Sequence, residues 1–196
     1  METLAEIYEA YRSDPAFDHL RTEGIRLVPG EGATSAARIL IVGEAPGAVE
    51  NTDGRPFVGA SGAVLRSLIT DVAMLKPEDY FITNTVKYRP PGNRTPEWNE
   101  IEASVPYLRR EFRAIGSPAV IVAVGAVPYS VFRPTGRRQG VLTVAGEPQA
   151  LGAPEANRWV VPMIHPAYGL RRREIRPDME THWGRFGQWF REEYGA

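Results

Sequence analysis

Four short apolar runs, at residues 37–42, 80–83, 119–124 and 159–164, constrain the fold more than any other feature of this chain. Each is short and, apart from Arg38 and Thr83, apolar, the mark of a strand covered on both faces. Each ends at a chain-turning residue: Gly43, Asn84, Gly125, or His165 before Pro166. Between them the period changes. Val64, Leu65, Leu68, Ile69 and Val72 share one face of a helix expected over 61–74. Ile101, Val105, Leu108, Phe112 and Ile115 do the same over 97–115, where Pro106 is expected to kink the helix. Leu4, Ile7, Tyr8 and Tyr11 predict an opening helix, and Trp183, Phe186, Trp189 and Phe190 a core-facing final helix over 179–194. Residues 140–146 read as a short strand or loop. Alternating strands and helices predict an α/β fold: one domain over 1–196, a four-stranded parallel sheet flanked by helices in three layers.

A chain of 196 residues is long enough for one proper core. No apolar run approaches the ~20 residues that span a bilayer. The acidic start, Met1-Glu-Thr-Leu-Ala-Glu6, lacks a signal peptide's basic and apolar regions, so a cytoplasmic protein without membrane partners is expected. The sequence contains no cysteine, which excludes disulfides, thiolate-bound zinc and a cysteine-held cluster. No credible metal site is seen. The net charge of −1 does not by itself suggest nucleic acid. Its distribution says more: residues 133–176 carry eight arginines against three glutamates, beside His165. Such a basic region suits either phosphates or a solvated surface.

Ligands of parallel sheets bind beyond the carboxyl ends of the strands, where three motifs fall. Gly43-Glu-Ala-Pro-Gly47 is a tight turn aiming Glu44 at a cleft; it is neither a P-loop nor a dinucleotide fingerprint. Asn84 follows the second strand with an amide that offers one acceptor and two donors. That set pairs with a base edge that offers one donor and one acceptor, and a fixed amide rejects the reversed pattern. His165 closes the fourth strand. A further motif, Gly54 to Gly62, sets Phe57 among turn residues and then opens a helix, where backbone N–H groups near Ser61 can hold a phosphate. Phe57 is either a ring that stacks on a base or a core plug. Lys87, Arg89 and Arg94 on a Pro-rich loop suit phosphate contacts. Leu170 and Arg171, after a flexible Gly169, suit a wedge that fills the gap left by an extruded base.

Taken together in this order and spacing, these motifs resemble the family-four uracil-DNA glycosylases from about Leu20 to Tyr194. The resemblance implies a four-stranded parallel sheet between helices and uracil-containing DNA as partner. It implies that Glu44 positions water, that Glu50 lies beside the pocket with Gly43, and that Phe57 stacks on uracil. It implies that Asn84 reads the base edge, that His165 stabilises charge on the leaving uracil, and that Leu170 and Arg171 enter the DNA. The family usually holds an iron-sulfur cluster through four cysteines. Two of those positions are Tyr88 and Ser104 here, and the others fall near Pro15 and Asp18. No cofactor is therefore expected, and Tyr88 and Phe17 are expected to fill the space. A relative of the family bonds covalently to DNA through a histidine; the loop at 89–96 has none, so turnover is expected.

The expected reaction is hydrolysis of the N-glycosidic bond of deoxyuridine in DNA after base flipping, by a monomer, leaving an abasic site. Lys87 is the only lysine near the motifs, which disfavours Schiff-base lyase chemistry. Two other classes stay open: a non-catalytic DNA- or uracil-binding protein on this fold, and an enzyme acting on another deaminated base or a free nucleoside.

Overall fold

The computed structural model describes residues 2–35, 37–134, 136, 139–152 and 158–195. Arg137, Arg138 and Glu155, counted in the charge pattern above, lie outside them. The apolar runs form β2 (Ile39–Gly43), β3 (Tyr80–Asn84), β4 (Val120–Val124) and β6 (Trp159–Met163), all mutually parallel. Two-residue strands, β1 (Glu31–Gly32) and β5 (Gln149–Ala150), pair antiparallel at the edges. The sheet therefore has six strands, in the order β1-β3-β2-β4-β6-β5, around the expected four.

Successive strand residues face opposite sides. Ile39, Ile41, Val120, Val122, Val161 and Met163 pack under α3 (Ala60–Ser67) and α8 (Arg176–Tyr194), with Leu65, Ile69, Trp183, Phe186 and Phe190. Leu40, Val42, Ile121, Ala123 and Val160 pack on the other side against Leu108 of α4 (Trp98–Ala114) and Tyr129 of α5 (Ala126–Phe132). A third cluster ties α1 (Leu4–Ser13) to the Val86–Tyr88 segment through Tyr11, Phe17 and Tyr88.

Several elements differ from expectation. The helix predicted over 61–74 is α3 followed by a wider π turn, Leu68–Val72, which keeps Leu68 and Ile69 both buried. α4 is one helix through Pro106, and the carbonyl that proline leaves without a donor belongs to the exposed Glu102. Residues 140–146 contain a short helix, α6 (Val141–Val144), and not a strand. The expected wedge is no loop: α7 (Pro166–Arg171) follows β6 directly. Gly169 is there for packing, since a Cβ on it would lie 2.6 Å from the Met179 sulfur. The remaining helix is α2 (Ala48–Asp53). No helix among the described residues is long and apolar enough to cross a membrane.

The chain passes from β2 to β3 on one side and then to β4 on the other. Such a reversal opens a crevice at the carboxyl ends of the two strands. Register fixes what meets there: Gly43 lies opposite Asn84, and Val124 opposite Met163.

Candidate active site

A cavity of about 320 Å³ occupies that crevice, within the range of small-ligand sites. Its wall combines Glu44 after β2, Asn84 at the end of β3 and His165 after β6 with Phe57, Glu50, Ser61 and Arg171. The loop after β3 closes the far side through Pro90, Asn93, Arg94 and Thr95.

Gly43 lies beneath this wall and permits its closest contact. A Cβ there would sit 2.3 Å from the Phe57 ring and 2.5 Å from the Asn84 amide oxygen. Phe57 has a left-handed backbone, with φ of 55°, uncommon for a bulky residue. Two devices hold it. Gly62 packs against its backbone so closely that a Cβ would lie 2.1 Å from the Phe57 carbonyl carbon. Arg66 donates from Nε to the Phe57 carbonyl and from Nη2 to the Pro56 carbonyl, both at 2.9 Å. The ring belongs to the core cluster and to the cavity wall at once.

Glu50 borders the cavity, yet its oxygens serve the loops. The carboxylate accepts from the N–H groups of Gly47 at 3.1 Å, Val58 at 3.1 Å and Gly59 at 2.9 Å. It thereby joins the loop after β2 to the Phe57 loop. Glu44 is half-buried, and burial raises its carboxyl above the usual value, opposed by the polar Thr95 side chain nearby.

His165 is held on two sides. Gly125, at φ of 104°, brings β4's turn against the ring; a Cβ there would lie 3.3 Å from the His165 Cβ. Nδ1 accepts from the Ala167 N–H at 3.2 Å. In the neutral ring the proton must then sit on Nε2. Burial, with the positive charge of Arg171, lowers the pKa to about 4. At neutral pH the ring is an uncharged Nε2–H donor.

The loop cations divide. Lys87 cannot contact phosphates, contrary to expectation: it is 1% exposed and ion-paired with Glu111 at 2.5 Å. The chain is still running beneath α1 at that point and emerges as a loop only later. Arg94 reaches the cavity wall but bonds both Glu100 oxygens, at 2.8 and 2.7 Å, which anchors the loop to α4. Arg89 is half-exposed, lies off the wall and donates to Asn93. Leu170, 36% exposed, and Arg171 project from α7. Thr95 and Arg66 were missed in the sequence; nothing local signals that either supports Glu44 or Phe57.

Of the positions that the resemblance assigns to cluster cysteines only Tyr88 is aromatic, but rings pack around them. Tyr11 and Phe17 stack at 4.0 Å, with Tyr88 at 5.7 Å and Tyr107 at 5.0 Å from Tyr11. The hydroxyls of Ser104 and Tyr11 are 2.8 Å apart. A region filled by rings and lacking any thiolate does not fit an iron-sulfur cluster. Among the described residues, no group of His, Cys, Asp or Glu is arranged to hold a metal ion.

The family description "Uracil DNA glycosylase superfamily" matches residues 29–187. The chain is 40% identical over 155 residues to the type-4 uracil-DNA glycosylase of Saccharolobus solfataricus, across 78% of this chain and 71% of the relative. It is 42% identical over 156 residues to that of Sulfurisphaera tokodaii, across 78% and 70%. With the Thermotoga maritima type-4 enzyme it shares 41% over 174 residues, across 88% and 84%.

Proposed function

The chain belongs to the uracil DNA glycosylase superfamily, in its type-4 branch, and from that premise we propose that it excises uracil from DNA by hydrolysing the N-glycosidic bond. The carrying observation is the convergence of Glu44, Asn84 and His165, from three strand ends, on one cavity beside Phe57. A pure binding protein has no need of a carboxylate placed for water.

The target nucleotide leaves the stack at a cost of a few kcal/mol, offset by phosphate contacts and by Leu170 entering the gap. Phe57 stacks on the uracil, and Asn84 pairs with its N3–H and O4. Bond cleavage leaves positive charge on the sugar and negative charge on uracil. His165 donates from Nε2 to that anion as a neutral ring, without needing to transfer a proton. One such preorganised donor supplies about 3–4 kcal/mol of transition-state stabilisation. Glu44 as carboxylate orients water towards C1′ and offsets the sugar's positive charge. Lys87 is buried and bonded, which leaves no amine in the cavity wall for Schiff-base chemistry. The enzyme is accordingly monofunctional, and we infer a single-domain cytoplasmic monomer.

The test compares one uracil in an oligonucleotide with free deoxyuridine, assayed for released base. Release from the oligonucleotide alone is expected. Release from the free nucleoside at an equal rate would place the substrate outside DNA.

A further inference from the structure

A charged side chain that this chemistry does not use lies behind Asn84. Lys87 Nζ donates to Glu111 Oε2 at 2.5 Å, to Thr83 Oγ1 at 2.7 Å and to the Asn84 backbone carbonyl at 2.5 Å. All three ammonium protons are thereby engaged. Glu111, fully buried on α4, also accepts from Thr83 Oγ1 at 3.1 Å and from the Tyr8 hydroxyl of α1. A buried ion pair adds little net stability over an apolar pair of the same volume, so stability alone is a weak account of it.

One of these bonds fixes the peptide next to the base reader. The Asn84–Thr85 peptide has two polar atoms. Its N–H, from Thr85, donates to the Gly43 carbonyl at 2.9 Å. Its carbonyl accepts from Lys87. With both atoms bonded the peptide plane cannot rotate, and the Cα–Cβ bond of Asn84 has a set direction. Discrimination needs that direction, because the amide meets the base edge in register only when Cβ stands in the right place; which way the amide faces is then set by rotation about Cβ–Cγ.

We propose that Lys87 is a positioning residue: by pinning the Asn84–Thr85 peptide, it holds Cβ of Asn84 where the amide can meet the edge of uracil, and so supports selection of uracil over cytosine. This rests on the function proposed above. Glu111 accepts from the same ammonium and links it to α1 and α4, while the bonds to Thr83 and to the Asn84 carbonyl hold the amine at the peptide.

Two variants separate positioning from folding. Lys87→Met keeps the length and removes the donor. Glu111→Gln removes the negative charge and leaves the amine beside the Asn84 carbonyl. Melting temperature and single-turnover excision from uracil and cytosine oligonucleotides are measured for both and for wild type, well below every melting temperature. Lys87→Met is expected to slow uracil excision at saturating protein at least about tenfold and to narrow the uracil-to-cytosine ratio, with affinity for abasic DNA within about twofold. Glu111→Gln is expected to lose melting temperature yet keep its rate within about threefold. A wild-type rate and ratio in Lys87→Met overturns the proposal. So does a rate loss in both variants that follows their loss of melting temperature, which makes the pair a fold anchor only. If Lys87→Met does not fold, the double variant Lys87→Met/Glu111→Leu, free of buried charge, carries the same expectation. Wild-type protein that leaves uracil in place overturns the proposed function itself, and the role of Lys87 with it.

Discussion

Replacing His165 or Glu44 with Ala is expected to lower the single-turnover rate of uracil release at least about tenfold, since each removes a group that acts on charge in the transition state. Wild-type rates in both would contradict the roles given to them. The two groups differ in pH. His165, lowered to about 4, stays neutral across the working range. Glu44 is raised and acts as a base only when ionised. The rate should therefore fall on the acid side as Glu44 takes up a proton, above the ordinary carboxylate value of 4.5. An acid limb that persists unchanged in the residual activity of Glu44→Ala would assign it elsewhere. Stability carries a separate signature. Between pH 6.5 and about 4 the unfolded chain protonates His165 while the folded ring does not, so this residue's contribution is lost as pH falls through that window. His165→Asn should lessen the acid loss of melting temperature there. The convergence of Glu44, Asn84 and His165 on one cavity was legible because a chemically useful side chain stood just after three of the four apolar runs. Lys87 was not: a lysine in a Pro-rich stretch reads as exposed, and its burial depends on Glu111 and α1, which only the tertiary fold brings near.

At the scale of elements, the strands were legible because burial on both faces leaves near-continuous apolar runs. The edge strands β1 and β5 were not, because two residues leave no periodic trace. The π turn after α3 was hidden too, since π and α patterns differ little over five residues. α7 was read as a flexible loop from Gly169, whose reason is the Met179 sulfur pressed against it. The aromatic cluster of Tyr11, Phe17, Tyr88 and Tyr107 shows how the N-terminal segment is held without cysteine. Truncating a buried aromatic costs about 3–5 kcal/mol. Tyr88→Ala should thus lower the melting temperature by roughly 10 °C. Excision measured well below the new transition should stay near wild type, because Tyr88 does not line the cavity. An unchanged melting temperature would mean that other residues anchor α1.

The whole molecule places its chemistry by topology. The reversal of strand order between β2 and β4 opens the crevice, and register sets Gly43 beside Asn84 within it. Motif order in the sequence conveyed only that Glu44, Asn84 and His165 follow strand ends on one side of the sheet; strand order and register were not read from it. It did not convey which cations face solvent, since loop anchoring is a long-range matter: Arg94 is tied to Glu100, while Arg171 stands exposed on α7 at the cavity's edge. The absence of cysteine reaches furthest, since it leaves the chain no thiolate to hold an iron-sulfur cluster. The most direct test is single-turnover excision from an oligonucleotide with one uracil, using protein whose iron content has been measured, with thymine and hypoxanthine controls. Alkali-labile breaks at uracil by iron-free protein are predicted. DNA that is bound but left intact would contradict the account and return Glu44 and His165 to structural roles.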